Sequence, residues 1–263
     1  IAHSELLFAN KGVFGVFVAA SSRCFSDESF EVSCERLTDL EFDKIEIWMD
    51  EESDHLKPSE VAQSPEEFNS RFREATRLTP IAFCLENDIS PKNFQSLCKA
   101  AKLLRIAQIT IPASPMGTPF NSEIDRLKQL LEIASRNGIC LSIKTKTGQL
   151  TEDPRTATEL CQSVKGLGIT LDPSYYTCGP YSNTSYDLVF PYVCHIHLRD
   201  STRDQLQVPV GLGEIDYSRL ISMLERQEYH QFLSVEIIPA LLGDVDRALE
   251  LRKLRMLLES VVV

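Results

Sequence analysis

Short β-branched runs recur eight times along this chain, all but the sixth followed by a longer stretch with helically spaced apolar residues, and no other feature narrows the fold as far. Strands separated by helices pair in parallel, because a chain that must return to the same sheet end needs a covering crossover. The spacing predicts strands over 13–19, 44–49, 81–86, 107–112, 140–145, 169–172, 193–199 and 233–237. It predicts helices over 30–40, 65–77, 91–103, 122–137, 153–166, 217–228 and 245–260. The connection 174–192, rich in Tyr, Ser, Pro and Gly, reads as irregular and is a candidate lid. Ser64-Pro65, Ser90-Pro91 and Asp216 supply helix starts, and Asn137-Gly138 supplies a stop. Eight such units in 263 residues suit a single (β/α)8 TIM barrel over 1–263, since such barrels run to about 250 residues.

Alternation along each predicted strand divides its side chains between two faces. Ile45 and Ile47 oppose Glu46 and Trp48; Ile109 and Ile111 oppose Gln108 and Thr110. Leu141 and Ile143 oppose Ser142 and Lys144, while Ile169 and Leu171 oppose Thr170 and Asp172. Ile196 and Leu198 oppose His195, His197 and Arg199; Leu233, Val235 and Ile237 oppose Ser234 and Glu236. The apolar set belongs against the helices, so the polar set faces the barrel axis. Glu46, Lys144, Asp172, His197 and Glu236 then converge at the C-terminal mouth, where barrel active sites lie. Buried charges demand partners or a metal, which makes this convergence the main functional signal.

The C-terminal third resembles the xylose isomerase-like TIM barrel family, which includes sugar isomerases and epimerases and, more distantly, endonuclease IV. Leu171-Asp172-Pro173-Ser174, His195-Ile196-His197-Leu198-Arg199-Asp200, the Pro209-Val210-Gly211-Leu212-Gly213 loop ending in Asp216-Tyr217, and Ser234-Val235-Glu236-Ile237 follow the family's order and spacing. The segment 42–48 is the clearest match in the N-terminal half. The resemblance implies one divalent metal (Mn, Mg, Zn or Co), with Asp172, His197 and Glu236 on three of four ligand positions. The fourth, a Glu in the family, is Lys144, and a substrate-binding His is replaced by Tyr175. Two outcomes are open. Lys144 swings aside and three ligands with water hold the ion, or its ammonium stands in the metal's place, paired with Asp172 and Glu236. The second is the preferred reading.

The resemblance further implies a sugar, sugar-acid or sugar-phosphate isomerase or epimerase that moves a proton beside a carbonyl. Glu236, Lys144 and His197 are the catalytic candidates; Glu46, Trp48, Tyr175, His195, Arg199 and Gln207 are the substrate-contacting ones. The alternative is a metal-free sugar-binding or regulatory relative. Schiff-base chemistry at Lys144 is a third reading, opposed by the nearby carboxylates. A small sugar-like partner, a homodimer and a cytoplasmic location are expected. A net charge of -11 opposes general nucleic-acid binding, and no run suits a membrane span. The eight cysteines form no C-x-x-C pair and read as reduced buried thiols. His3, His55 and His230 read as surface residues. Gly211 and Gly213 serve a tight turn or, less simply, a phosphate cradle.

Overall fold

Strand alternation decides how the chain closes. The computed structural model describes residues 15–262. Its strands are β1 (Phe17–Ser21), β2 (Lys44–Met49), β3 (Thr79–Leu85), β4 (Gln108–Pro112), β5 (Cys140–Lys144), β6 (Gly168–Leu171), β7 (Val193–Leu198) and β8 (Phe232–Val235). They pair in chain order as a closed barrel, with Phe17 opposite Phe232 and Ala20 opposite Val235 where β1 meets β8. Ile45, Ile47, Ile109, Ile111, Leu141, Ile143, Ile196, Leu198, Leu233 and Val235 are fully buried and belong to one apolar cluster with helix residues such as Leu37, Phe94, Leu127, Leu160, Leu224 and Leu254. Each such side chain contributes roughly 1.5–3 kcal/mol on leaving water.

The helices covering the barrel are α1 (Phe30–Asp39), α2 (Pro58–Gln63), α3 (Pro65–Ala75), α4 (Pro91–Leu104), α5 (Phe120–Arg136), α6 (Pro154–Ser163), α7 (Pro173–Thr177), α8 (Tyr217–Arg226) and α9 (Arg247–Val261). The Ser90 hydroxyl caps α4 by accepting from Asn93 N at 3.3 Å, and Asp216 caps α8 by accepting from Arg219 N at 2.9 Å. Gly138 takes φ 69° just after α5, as a chain reversal there requires. Ser64 differs from expectation: it makes no side-chain cap, because α2 runs directly into α3 through it. Among the described residues no helix is long and apolar enough to cross a membrane.

The inward set carries the polar groups. The Thr110 hydroxyl lies 2.8 Å from that of Thr170 and 3.2 Å from that of Ser142, and Ser142 and Thr170 are 2.6 Å apart. Gln108 Nε2 donates to Ser142 Oγ at 2.6 Å. This hydroxyl triangle fills the middle of the barrel without an unpaired group. Two expectations change. The connection 174–192 contains α7 and a short 3-10 segment, Asp187–Tyr192, with Tyr175 and Tyr176 buried against the barrel. His55 is buried, not superficial, and bonds Glu28 O at 2.8 Å and Ser22 Oγ at 3.1 Å. His230 is exposed, and His3 and the start of the first predicted strand lie outside the described residues.

Candidate active site at the barrel mouth

Glu236 follows the last paired residue of β8, and its fully buried carboxylate is the hub of the mouth. Lys144 Nζ, from the end of β5, donates to both of its oxygens at 2.8 and 2.6 Å. Arg199 Nη2, just past β7, bonds the same carboxylate and reaches Asp172 Oδ2 at 2.7 Å. Lys144 Nζ stands 4.0 Å from Asp172 Oδ2. Asp172 spends its other oxygen on Ser174, capping α7 through Ser174 N at 3.2 Å and its hydroxyl. Burial works against ionised Glu236, but Lys144, His197, Arg23 and Arg199 outweigh it and hold its pKa well below the usual range. Burial likewise pulls on the Lys144 ammonium, and Glu236 outweighs that too, leaving it well above its ordinary value. An amine held protonated in this way is no nucleophile.

Beneath this hub Glu46 Oε2 accepts from His195 Nε2 at 2.5 Å and from His197 Nε2 at 2.6 Å. The two imidazoles outweigh burial and hold Glu46 ionised, with a pKa well below the usual carboxylate value. An ionised carboxylate can only accept, so both imidazoles carry their proton on Nε2. His197 Nδ1 is fully buried without a hydrogen bond and lies 3.5 Å from Glu236 Oε2. Glu46 Oε1 also lacks a partner. Burial lowers the His195 pKa despite Glu46 beside it.

Arg23, which the sequence reading missed, closes the other side. It follows β1 in a short 3-10 turn, and its Nη1 lies 3.2 Å from Glu86 Oε2 and 3.3 Å from Glu236 Oε1. Its guanidinium stacks over Trp48 at 5.1 Å, and Trp48 Nε1 donates to Glu86 Oε2 at 3.2 Å. Lys146 Nζ takes the other Glu86 oxygen at 2.5 Å. Arg199 stacks over Tyr175 at 5.5 Å. The position after β1 was open to the same parity argument, but that strand was predicted too early to reach it.

Two expected contacts are engaged elsewhere. Gln207 donates to Ile238 O at 3.0 Å and accepts from Ile238 N at 2.7 Å, so its amide ties a loop to the segment after β8. Gly211 N and Gly213 N both donate to Asp200 Oδ2, at 2.8 and 3.0 Å. That loop cradles the chain's own carboxylate, which takes the place a phosphate would need.

A divalent ion at the position implied by Asp172, His197 and Glu236 does not fit this arrangement. Lys144 and Arg199 already cover the Glu236 and Asp172 oxygens that would bind it. Arg23, Lys144, Lys146 and Arg199 pair with Glu86, Asp172 and Glu236, and Glu46 holds the two imidazoles, so an ion would add two positive charges where every carboxylate already has a partner. Deeper in the barrel Glu46, Cys84, His197 and Glu236 each bring a potential ligand atom within 4.8 Å of the others. Cys84 falls on the inward parity of β3 and was passed over in the sequence. Binding there would require Lys144 to leave Glu236 and the Cys84 thiol, whose pKa burial pushes well up, to lose its proton.

The sequence matches the xylose isomerase-like TIM barrel family over residues 34–254. No curated protein matches it. A xylose isomerase-like TIM barrel protein from Mycobacterium smegmatis, solved in complex with magnesium, superposes with a TM-score of 0.73 at 15% identity, covering 94% of this chain and 97% of that one. A sugar phosphate isomerase/epimerase from Parabacteroides distasonis gives 0.70 at 10% identity over 98% of both chains. The probable 3-DHS dehydratase AsbF from Bacillus anthracis gives 0.68 at 16% identity, over 93% of this chain and 98% of that one. At these identities the likeness establishes the fold.

Proposed function

The chain belongs to the xylose isomerase-like TIM barrel family, and from that premise we propose a sugar, sugar-acid or sugar-phosphate isomerase or epimerase that moves a proton beside a carbonyl without a resident divalent ion. The observation that carries this reading is the Glu236 carboxylate clasped by Lys144 at 2.8 and 2.6 Å with Arg199 on the same group. A base and two fixed electrophiles thus occupy one spot. A substrate carbonyl oxygen that takes the Lys144 ammonium loosens its hold on Glu236, whose pKa then rises toward a working value. Glu236 removes the proton from the carbon next to the carbonyl. The electron pair moves into the carbon–carbon bond, and Lys144 and Arg199 hold the resulting enediolate oxygen. For isomerisation the proton returns from Glu236 to the former carbonyl carbon, while the proton of the adjacent hydroxyl passes to the former carbonyl oxygen, so that the carbonyl moves one carbon along. Trp48 and Tyr175 form apolar walls, and His195 and Glu46 orient His197.

Turnover of a panel of ketoses, aldoses, sugar acids and their phosphates, in protein stripped of metal with a chelator, tests this. Glu236→Gln should lower kcat by about 10²–10⁴-fold; unchanged turnover removes the proposal. A second reading, a non-catalytic sugar-binding relative, is favoured by one feature: Glu236 carries Lys144, Arg199 and Arg23 at once. Calorimetric binding of a panel member with no turnover decides for it. A homodimer and a cytoplasmic location are part of the same proposal, the first open to sedimentation analysis and the second to cell fractionation.

A further inference from the structure

Guanidinium groups seek carboxylates, and most arginines of this chain find one. Among the described residues those that form no ion pair are Arg73, Arg77, Arg105, Arg155, Arg226 and Arg252. The first three line one cavity of about 430 Å³ where α3 and α4 end, at the foot of the barrel. No acidic residue borders it, in a chain that has 38 of them. Thr79, Pro80 and Arg105 also line a second cavity, of about 350 Å³, so the two adjoin. This inner cavity lies under the strand starts, again without an acidic residue, and Ile81, Ala107, Cys140, Cys194 and Phe232 make its wall mainly apolar. Five cysteines (Cys24, Cys34, Cys84, Cys98, Cys161) are buried as expected. Cys140 is exposed and Cys194 half-buried, against expectation, because they face this cavity; Cys178, after α7, is half-buried too.

We propose that this double cavity is a binding site for a small organic phosphate, with the phosphate held by Arg73, Arg77 and Arg105 and its apolar body seated in the inner cavity. Helix C-termini attract cations by themselves, and Arg73 answers to that: its Nη2 donates to Leu103 O at 3.4 Å and its Nε to Asn69 Oδ1 at 3.1 Å. The side chains of Arg77 and Arg105 bond no carbonyl among the described residues. Glu35, Asp39 and Glu74 share a neighbouring hollow with Arg77, yet none pairs with it. Arg105 caps α4 at φ 61°, a position that glycine usually takes. Forked guanidinium donors match phosphate oxygens two at a time. Each cavity falls within the range of about 300–1,000 Å³ that suits small molecules. A net charge of -11 opposes an anion at long range, but salt at about 0.1 M screens that field beyond about 10 Å, so the arginine contacts decide. Barrel phosphate sites commonly lie at the C-terminal face; here the glycine loop on that face is filled by Asp200. The foot site is independent of the chemistry proposed for the mouth.

Calorimetric titration of the full chain with phenyl phosphate, inorganic phosphate and phenol tests the site. One phenyl phosphate per chain should bind, at least about tenfold more tightly than either inorganic phosphate or phenol, because it alone engages both cavities. Arg105→Gly removes a guanidinium at a backbone angle that glycine prefers, so the fold is kept, and it should weaken phenyl phosphate at least about tenfold. Arg77→Gln, on the exposed stretch after α3, should weaken it similarly with the circular dichroism unchanged. Unaltered affinity in either variant puts the phosphate elsewhere and overturns the proposal. So does an absence of saturable binding to the wild-type chain, or phenol binding as tightly as its phosphate ester.

Discussion

Lys144 sets the character of the mouth more than any other single residue. It places a positive charge on an oxygen pair that a cation would otherwise share, with Nζ at 2.8 and 2.6 Å from Glu236. Two charges about 4 Å apart interact by about 4 kcal/mol at a near-surface dielectric. Lys144→Glu therefore should raise affinity for Mn²⁺ or Mg²⁺ at least about a hundredfold over wild type, to one ion per chain, read by elemental analysis after dialysis. Wild-type protein holding a stoichiometric ion would contradict the charge balance described above. Glu236→Gln leaves Lys144 and Arg199 buried against a neutral amide. Loss of one partner from such a cluster should cost about 3–5 kcal/mol, measurable by urea unfolding. Inward parity placed Glu46, Lys144, Asp172, His197, Arg199 and Glu236 on one side of their strands before any coordinates. It could not say which carboxylate each cation would choose. That depends on side-chain reach across the barrel, which strand spacing alone does not encode. Hence Asp172 emerges as a cap and counter-ion for Arg199, and Glu236 as the hub.

At the scale of elements, β2 has its expected bounds, while several other strands stop one or two residues short of theirs. The residues lost from the strands are the informative ones: Glu86, Thr145, Asp172, Arg199 and Glu236. Ladder pairing ends where the strands splay at the mouth, whereas hydrophobic alternation carries on, so periodicity overruns the hydrogen bonds. Helix α2 was missed for the opposite reason: with six residues it is too short to show a period. The loop before α8 depends on its glycines in two ways. Gly211 has φ 93°, and a Cβ on Gly213 would stand 1.9 Å from Asp200 Oδ1. Gly213→Ala must therefore push that carboxylate off two backbone N–H groups, and should destabilise the chain by about 1–3 kcal/mol in a thermal melt. Asp216→Ala removes only a cap and should cost about 1 kcal/mol in the same measurement.

For the whole molecule, the buried charges set the response to acid. Glu46, Glu86 and Glu236 all have folded pKa values below the ordinary 4.5, Glu86 at about 2. Unfolding lets each bind a proton more readily, so their stabilisation is complete above 4.5 and fades as pH falls, the Glu86 share toward about 2. His55 and His195 are buried with pKa values below 6.5, so the unfolded chain also takes up protons that the folded one refuses. Stability should therefore hold near neutrality, begin to decline below 6.5 and fall more steeply below 4.5. Urea midpoints taken from about pH 7 down to about pH 3 will show this, and a midpoint that rises on acidification would refute it. Closure of the barrel has one more consequence. Every one of its eight strands has a neighbour on both sides, β1 and β8 included. None offers a row of bare amides and carbonyls onto which another copy's strand could zip. Ribbon-like clumping through these strands must wait until the ring has sprung open, so light scattering on heating should appear only together with loss of the near-ultraviolet dichroism of the packed aromatic rings.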